Sequence, residues 1–266
     1  LTPLMAGGCD GAEEPTGAAA TALTAACVDS ADPAPIGAWI CGEDRLVECD
    51  SHEGAHVDQI YASLDVGSPL TCLSGTLTVS SPGPFLPGVH DIEVDVAAPG
   101  QPASELCHST LTVVDTLPPV VTVHGSSLWP PNHKLHHIDV ADCVTLEDTC
   151  DPSPKVWLTG ASSDEPVDDL GDGNTDPDIQ NLGCDGVDLR AERQGGGDGR
   201  VYTLSWHAED SAGHALEGTC QVVVPHDQGG SAAVDSGGAY HTELAPDACH
   251  WSLLKAPRRT IAMLGR

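Results

Sequence analysis

The chain has 266 residues, enough for two domains of ordinary size, and 29 glycines, 21 prolines and few aromatic residues favour short strands over helices. Its net charge of -30 repels phosphate backbones and anionic lipid headgroups, which argues against nucleic-acid binding. The same charge either attracts divalent cations and basic partners or forms a solvated acidic surface that keeps a secreted protein soluble.

The 11 cysteines are scattered singly, with no CxxC pair of the zinc-ribbon or redox kind. They predict disulfide bonds and therefore an oxidising compartment. Residues 1–9 resemble the end of a lipoprotein signal peptide, because small residues lead into Cys9. With Cys9 lipidated, an even number of cysteines would be left, so we expect lipid anchoring at a bacterial surface. The alternative is an ordinary apolar N-terminal segment.

Residues 10–43 are small, acidic and rich in proline up to Pro35, and are interpreted as a flexible tether. Short β-prone runs follow in residues 44–117. In the run His90–Ala97, Ile92, Val94 and Val96 alternate with acidic residues, as in a strand with one buried face. Proline pairs at 118–119 and 130–131 separate this module from a second one over residues 118–228.

The two modules share a pattern that predicts an internal repeat. In each, a loop glycine precedes a cysteine by seven residues, Gly100 before Cys107 and Gly213 before Cys220, and the cysteine opens a valine-rich strand. Two copies of one β-sandwich are the economical interpretation. Residues 229–266 fit neither module and are interpreted as a disordered appendage, with a docking tail as the alternative.

The first copy, from Cys49 through Cys107-His-Ser-Thr-Leu-Thr-Val-Val-Asp-Thr-Leu-Pro-Pro-Val, resembles the hyalin-repeat (HYR) module, which is immunoglobulin-like. The second copy is similar to a related module of bacterial surface proteins, through LWPPNHK, SSDEPVDDLGDGNTDPD and VPHDQ. This resemblance implies two tandem immunoglobulin-like β-sandwich domains in an extracellular adhesion-type or structural protein, with no catalytic residues to carry over. Its partner would be an unidentified protein or glycan.

The acidic loop Ser162–Asp178 is the main candidate site. Calcium prefers several oxygen ligands in tolerant geometry, and Asp172, Asn174 and Asp176 have the spacing of calcium loops. Pro177 replaces the turn glycine of an EF-hand, so any Ca²⁺ site is a looser one, and a solvated loop is the alternative. The candidate ligands, and so the cofactor prediction, are Asp168, Asp169, Asp172, Asn174, Asp176 and Asp178.

The pattern His52-Glu53-x-x-His56 matches that of zinc peptidases, which requires a helix. It contains Gly54 and lies where a turn is expected, so a zinc hydrolase is only the alternative function, as is an accessory module of a larger enzyme. His133, His136 and His137 form a second candidate metal group, or a surface histidine patch. In an extended strand His133 and His137 would share one face.

Three further features are interpreted structurally. Arg190, Glu192 and Arg193, with the glycine-rich turn after them, predict a β-hairpin with cross-strand ion pairs. Trp129, Trp157 and Trp206 are expected in cores or between modules rather than in a sugar platform. Spacing leaves disulfide connectivity open, with Cys72–Cys107 and Cys143–Cys220 as candidate pairs.

Overall fold

The computed structural model describes residues 22–29, 34–64, 72, 75–168, 171–173, 175–229 and 232–249. The chain divides into two compact units, the first ending at Asp115 and the second beginning at Thr116. Within the described residues the single helix, α1 (Val140–Cys143), has four residues, and the other elements are strands. The fold is therefore all-β, as the glycine- and proline-interrupted sequence predicts. No helix in the described part of the chain is long and apolar enough to cross a membrane.

The first unit forms two sheets. Its strands are β1 (Thr24–Asp29), β2 (Trp39–Ile40), β3 (Arg45–Glu48), β4 (Gln59–Leu64), β5 (Thr76–Val79), β6 (Gly88–Ala97) and β7 (Ser104–Val114). One sheet has the order β1-β4-β2 and the other the order β3-β7-β6-β5. The predicted alternation in β6 is present, since Ile92, Val94 and Val96 are buried. Ile60 of β4 and Leu111 of β7 complete this core, so apolar faces from both sheets are removed from water.

The prediction of a flexible tether over residues 10–43 is wrong for its described part. Thr24–Asp29 pairs with β4 in parallel register, and Leu23 before it is buried. The disulfides Cys27–Cys72 and Cys41–Cys107 fasten this segment to the sandwich, so Cys72 and Cys107 do not pair with each other. Six paired residues and two covalent links outweigh the low hydrophobicity that suggested a tether.

The second unit also forms a sandwich. Its strands are β8 (Val120–Val123), β9 (Ser126–Ser127), β10 (Leu135–Asp139), β11 (Val144–Glu147), β12 (Lys155–Ser163), β13 (Ile179–Gln180), β14 (Gly186–Arg190), β15 (Gly199–Glu209), β16 (Ala215–Pro225) and β17 (Tyr240–Glu243). One sheet has the order β17-β12-β15-β16-β9. The sheet β10-β14-β13 and the two-stranded sheet β11-β8 form the opposite layer. The consecutive elements β10, α1 and β11 connect these two sheets. Ile138 and Leu189 from one side pack with Leu158 and Leu204 from the other.

The prediction of a disordered segment over residues 229–266 is also wrong for its described part. β17 pairs with β12, and Asp164 accepts a hydrogen bond from the backbone N–H of Ser236. The disulfide Cys184–Cys249 fastens the end of this segment, and Cys143–Cys220 crosses the sandwich. Residues 232–249 are thus part of the folded unit.

Both units share one topology at the predicted repeat. Each unit has a long hairpin, β6–β7 in the first and β15–β16 in the second. A short earlier strand lies parallel to the second strand of that hairpin, β3 beside β7 and β9 beside β16. Gly100 and Gly213 lie in the two hairpin turns at φ values of 77° and 93°, where a side chain is strained. The spaced Gly–Cys pattern therefore marks equivalent immunoglobulin-like hairpins.

Candidate functional site

The acidic loop after β12 does not present its carboxylates to solvent uniformly. Asp168 and Asp176 are exposed, whereas Asp172 and Asp178 are fully buried. Asp169 and Asn174, the other two predicted calcium ligands, lie outside the described residues. Glu165 is buried as well. Burial of so many carboxylates requires compensating charge or hydrogen bonds, because an isolated buried charge is very costly.

Arg200 of β15 supplies that charge from inside the protein. Its guanidinium group is fully buried, with Nε 3.1 Å from Glu165 Oε2 and Nη1 donating to Asp178 Oδ2. Nη2 donates to the carbonyl oxygen of Pro166 at 3.1 Å. The planar guanidinium therefore holds both ends of the acidic loop at once.

A second arginine and a glutamate complete a set that we call the Arg200 cluster, defined as Glu165, Asp178, Arg190, Glu192, Arg200 and Tyr202. Arg190 Nε lies 3.4 Å from Asp178 Oδ1, and its Nη groups donate to the carbonyl oxygens of His133 and Pro177. The Tyr202 hydroxyl donates to the carbonyl oxygen of Arg190 at 2.9 Å. Since Arg200 and Tyr202 belong to the five-stranded sheet and Arg190 to the opposing one, the cluster joins the two layers.

Glu192 connects the cluster to the loop and to His133. Its Oε2 is 2.8 Å from His133 Nδ1 and accepts a hydrogen bond from the Thr175 hydroxyl. His133 has a φ of 61°, uncommon for a residue with a side chain. A Cβ on Gly173 would be 2.6 Å from His133 Cε1, so the loop backbone lies directly on the imidazole. A side chain at 173 would have to displace this imidazole, and the φ of 103° at Gly173 also favours glycine.

The electrostatics follow from burial. Burial raises the pKa of Asp178 above its ordinary value, and the Arg200 guanidinium opposes that shift. Burial alone would lower the pKa of Arg200, but Tyr202 and Asp178 hold it above its ordinary value. Burial raises the pKa of Tyr202 too, so its phenol keeps the proton it donates to Arg190. The cluster can neutralise charge and fix geometry, which are structural tasks.

The Arg200 cluster changes the interpretation of the calcium ligands. Asp178 is directed to two arginines, so its oxygens already have positive partners. Among the described residues of this loop, no three acidic, histidine or cysteine side chains bring ligand atoms within 4.8 Å of one another. Calcium binding by the exposed Asp168 and Asp176 stays a prediction.

The zinc-peptidase pattern does not lie on a helix. His52 and Glu53 occupy a turn closed by hydrogen bonds between Ser51 and Gly54, and the chain then pairs at Ala55 with Phe85. His56 Nδ1 lies 2.7 Å from Asp50 Oδ1. Without the helical spacing, the two histidines do not share the face that the chemistry requires.

The histidine group also separates. His133 precedes β10 and contacts Glu192, whereas His137 within β10 contacts Asp188 through Nδ1 at 2.6 Å and Asp139 through Nε2 at 3.3 Å. The hydrogen bond to Asp188 raises the pKa of His137. The expectation that His133 and His137 share one strand face is wrong, because His133 turns away before the strand begins.

The three tryptophans that the structure describes in the second unit have different surroundings. Trp206 is buried in the core, as expected, and its indole lies across Gly218. Trp129 is 40% exposed. Trp157 is half-buried, on the outer face of β12, with its ring centroid 4.6 Å from that of His207. Only Trp206 of the three belongs to the core cluster of the second unit.

Sequence reasoning missed Arg200, although one signal was available. Arg200 lies two residues before Tyr202, in phase with the inward-facing Tyr202, Leu204 and Trp206. The predicted hairpin between Arg190 and the strand that follows is wrong, because β14 and β15 belong to different sheets. Arg193 instead donates to the carbonyl oxygens of His226 and Gln194.

No family model matches the chain, and no curated protein matches it. Among solved structures, the chain is similar to the extracellular domain of protocadherin gammaB4, with 12% sequence identity and a TM-score of 0.26. The alignment covers 70% of this chain and 32% of that one, so the chain spans about a third of the protein it matches.

Proposed function

We propose that this protein is a non-enzymatic binding or structural module of the cell surface or the secreted space. The observation that carries the proposal is the set of disulfides. Cys27–Cys72 and Cys41–Cys107 fasten the first unit, and Cys143–Cys220 and Cys184–Cys249 fasten the second. Such a set needs an oxidising, extracellular environment, because cytosolic reductants keep thiols reduced.

The immunoglobulin-like sandwiches are consistent with an adhesion-type or structural role, although such folds serve many functions. The likeness to hyalin-repeat modules supports the same role and rests on the sequence motifs alone. The charge of -30 supports display in solvent and disfavours anionic partners. Anchoring through a lipid on Cys9 is part of the proposal, and that residue lies outside the described part of the chain.

The proposal is tested on intact cells of the producing organism. A membrane-impermeant protease should degrade the protein without lysis, because a surface module is accessible from outside. Changing Cys9→Ser should move the protein from the membrane fraction to the medium, since the lipid is the proposed anchor. Alkylation before and after reduction should show that the cysteines from Cys27 to Cys249 react only after reduction.

Two results would contradict the proposal. Protection from protease until the cells are lysed would place the protein inside. Alkylation of its cysteines in freshly lysed cells without reductant would show that the disulfides do not form in the organism. If Cys9→Ser does not change the amount of protein released into the medium, the lipid anchor is contradicted and surface display is not.

A further inference from the structure

The outer face of the five-stranded sheet in the second unit carries a tryptophan that is not part of the core. Trp157, His207 and Glu217 lie side by side across β12, β15 and β16. Their strand neighbours Leu158 and Trp206 point to the buried side. Trp157 therefore keeps a large apolar ring at the solvent side of the sheet, next to polar groups.

The next row of this face is polar, with Gly160 buried, Ser205 half-buried and Thr219 exposed. Gly160, Ser205 and Thr219 lie across the same three strands, and Glu243 of β17 is paired with Gly160. A Cβ on Gly160 would be 3.4 Å from Glu243 Cγ and 3.8 Å from Ser205 Cβ, so glycine leaves room there for these side chains. The row offers hydroxyl groups and a carboxylate beside the aromatic ring.

The far end of the face is covered by the chain itself. Asp235 Oδ2 accepts hydrogen bonds from Thr203 and Gln221 at 3.4 and 3.2 Å. The remaining part runs from the half-buried Trp157 towards the half-buried Ser205 and the exposed Thr219. It combines a ring with hydrogen-bonding groups, and Glu217 at its rim has a side chain 79% exposed.

We propose that this face, named here the Trp157 face, binds an uncharged polysaccharide. A sugar ring presents apolar C–H groups on one side and hydroxyl groups at its edge. The C–H groups stack on an aromatic ring, and the sugar hydroxyl groups form hydrogen bonds with carboxylates and hydroxyls. The net charge of -30 decides between glycan classes, because it repels uronic-acid and sulfated chains. This inference names a ligand for the proposed binding role and rests on that proposal.

The test uses the full chain with cellohexaose, xylohexaose, mannohexaose and chitohexaose, each titrated by calorimetry and followed by tryptophan fluorescence. At least one oligosaccharide should bind. Trp157→Ala should weaken its affinity at least about tenfold, since truncation of an aromatic residue at the centre of an interface is among the most costly changes for binding. Glu217→Gln should weaken it less, because the carboxylate contributes hydrogen bonds at the rim.

Trp129→Ala is the matched control, because this tryptophan is exposed in the same unit but lies outside the sheet. It should leave the affinity unchanged. Should Trp157→Ala fail to fold by circular dichroism, Glu217→Gln and Thr219→Ala at exposed positions decide the matter.

The proposal is overturned if none of the four oligosaccharides binds at millimolar concentration, or if Trp129→Ala weakens binding as much as Trp157→Ala does. It is also overturned if the folded face variants bind as the parent does. These outcomes are distinct from failure of the proposed function: a surface-exposed protein without oligosaccharide binding loses this inference alone. An intracellular, reduced protein that binds one would contradict the proposed function alone.

Discussion

Arg200 is a fully buried cation in a chain that carries four acidic residues for every basic one. A buried ion pair contributes little net stability compared with apolar packing, but loss of one partner is costly because the other charge remains. Arg200 has two carboxylate partners, Glu165 and Asp178. Its role is to make burial of the acidic loop possible.

Replacing Arg200→Met should lower the free energy of unfolding by about 3–5 kcal/mol, because the buried Glu165 would lose its cation and the buried Asp178 would keep Arg190 alone. Chemical denaturation at neutral pH measures this. Adding Asp178→Asn to Arg200→Met should cost less than the two single changes together, because the double variant removes both charges of one pair.

Arg193→Met is the control for loss of an arginine as such. Its guanidinium donates to backbone carbonyl oxygens and not to a carboxylate. Its three hydrogen bonds are worth about 1 kcal/mol each, so the two methionine variants are separated by their coupling to Asp178 and not by the size of the loss. Arg193→Met and Asp178→Asn should be additive, and additivity of Arg200→Met with Asp178→Asn as well would show that the Arg200 charge is not needed.

The His137–Asp188 pair predicts a pH dependence with a definite sign. The hydrogen bond to Asp188 raises the pKa of His137 from its usual 6.5, and burial opposes this shift. The contribution of His137 to stability is therefore fully present below pH 6.5 and is lost as the pH rises through the higher folded-state value. The pKa of Asp188 is lowered, first by Asn181 and then by His137, so its contribution is lost as acid titrates it.

An NMR titration of His137 should give a pKa above 6.5 that falls towards that value in Asp188→Asn. Asp139→Asn is the comparison, because Asp139 is the weaker contributor and lies 3.3 Å away on the other ring nitrogen. A larger shift in Asp139→Asn than in Asp188→Asn would contradict the assignment.

At the scale of the element, the two hairpins depend on glycine in their turns. Gly213→Ala should destabilise the second unit by about 1 kcal/mol, because an alanine at a φ of 93° is strained. Gly196→Ala is a matched control: a Cβ meets no atom within 4 Å at either site, and Gly196 does not have a left-handed φ. Thermal unfolding should separate the variants, and equal melting temperatures would refute the role of the turn.

Strands with a strong alternation of apolar and polar residues could be predicted from the sequence. The predicted run His90–Ala97 lies within β6, and its Ile92, Val94 and Val96 are buried as their alternation with acidic residues predicts. β1 could not be predicted, since Thr24–Asp29 has small residues and each of them pairs with a residue of β4 that is 35 positions further along the chain. β17 could not be predicted either, because its pairing with β12 and the nearby Cys184–Cys249 disulfide fix its position.

The Arg200 cluster lay beyond sequence reasoning for a different reason. No basic residue occurs between Lys155 and Arg190, so the acidic loop looks uncompensated along the chain. The compensation comes from Arg190 and Arg200 across two sheets, which only the folded register brings to Asp178. Local charge counts do not contain that information.

At the scale of the whole molecule, the excess of 30 negative charges opposes compactness. Raising NaCl should therefore raise the melting temperature, because screening shortens the range of repulsion to about 10 Å at 0.1 M. If the acidic loop also binds calcium, CaCl₂ should raise the melting temperature beyond NaCl of equal ionic strength. This additional rise in melting temperature with CaCl₂ should disappear in the double variant Asp168→Asn/Asp176→Asn.

Asp178 is unsuitable for that test, because its removal disturbs Arg200 whether or not calcium binds. Asp168 and Asp176 are exposed, so replacing them with asparagine should leave the fold unchanged. Identical melting curves in the two salts, for the parent and for the double variant, would remove calcium from the description of this loop.

The position of the disulfides determines where this chain can be cut. A fragment of residues 44–228, the two modules that sequence patterns delimit, would lack Cys27, Cys41 and Cys249. Cys72, Cys107 and Cys184 would then be unpaired thiols in an otherwise oxidised protein. Such a fragment would form disulfide-linked dimers through these thiols and would expose the edge of β4 with which β1 pairs in the full chain. A recombinant protein intended for ligand screening should therefore begin before Leu23 and end after Cys249.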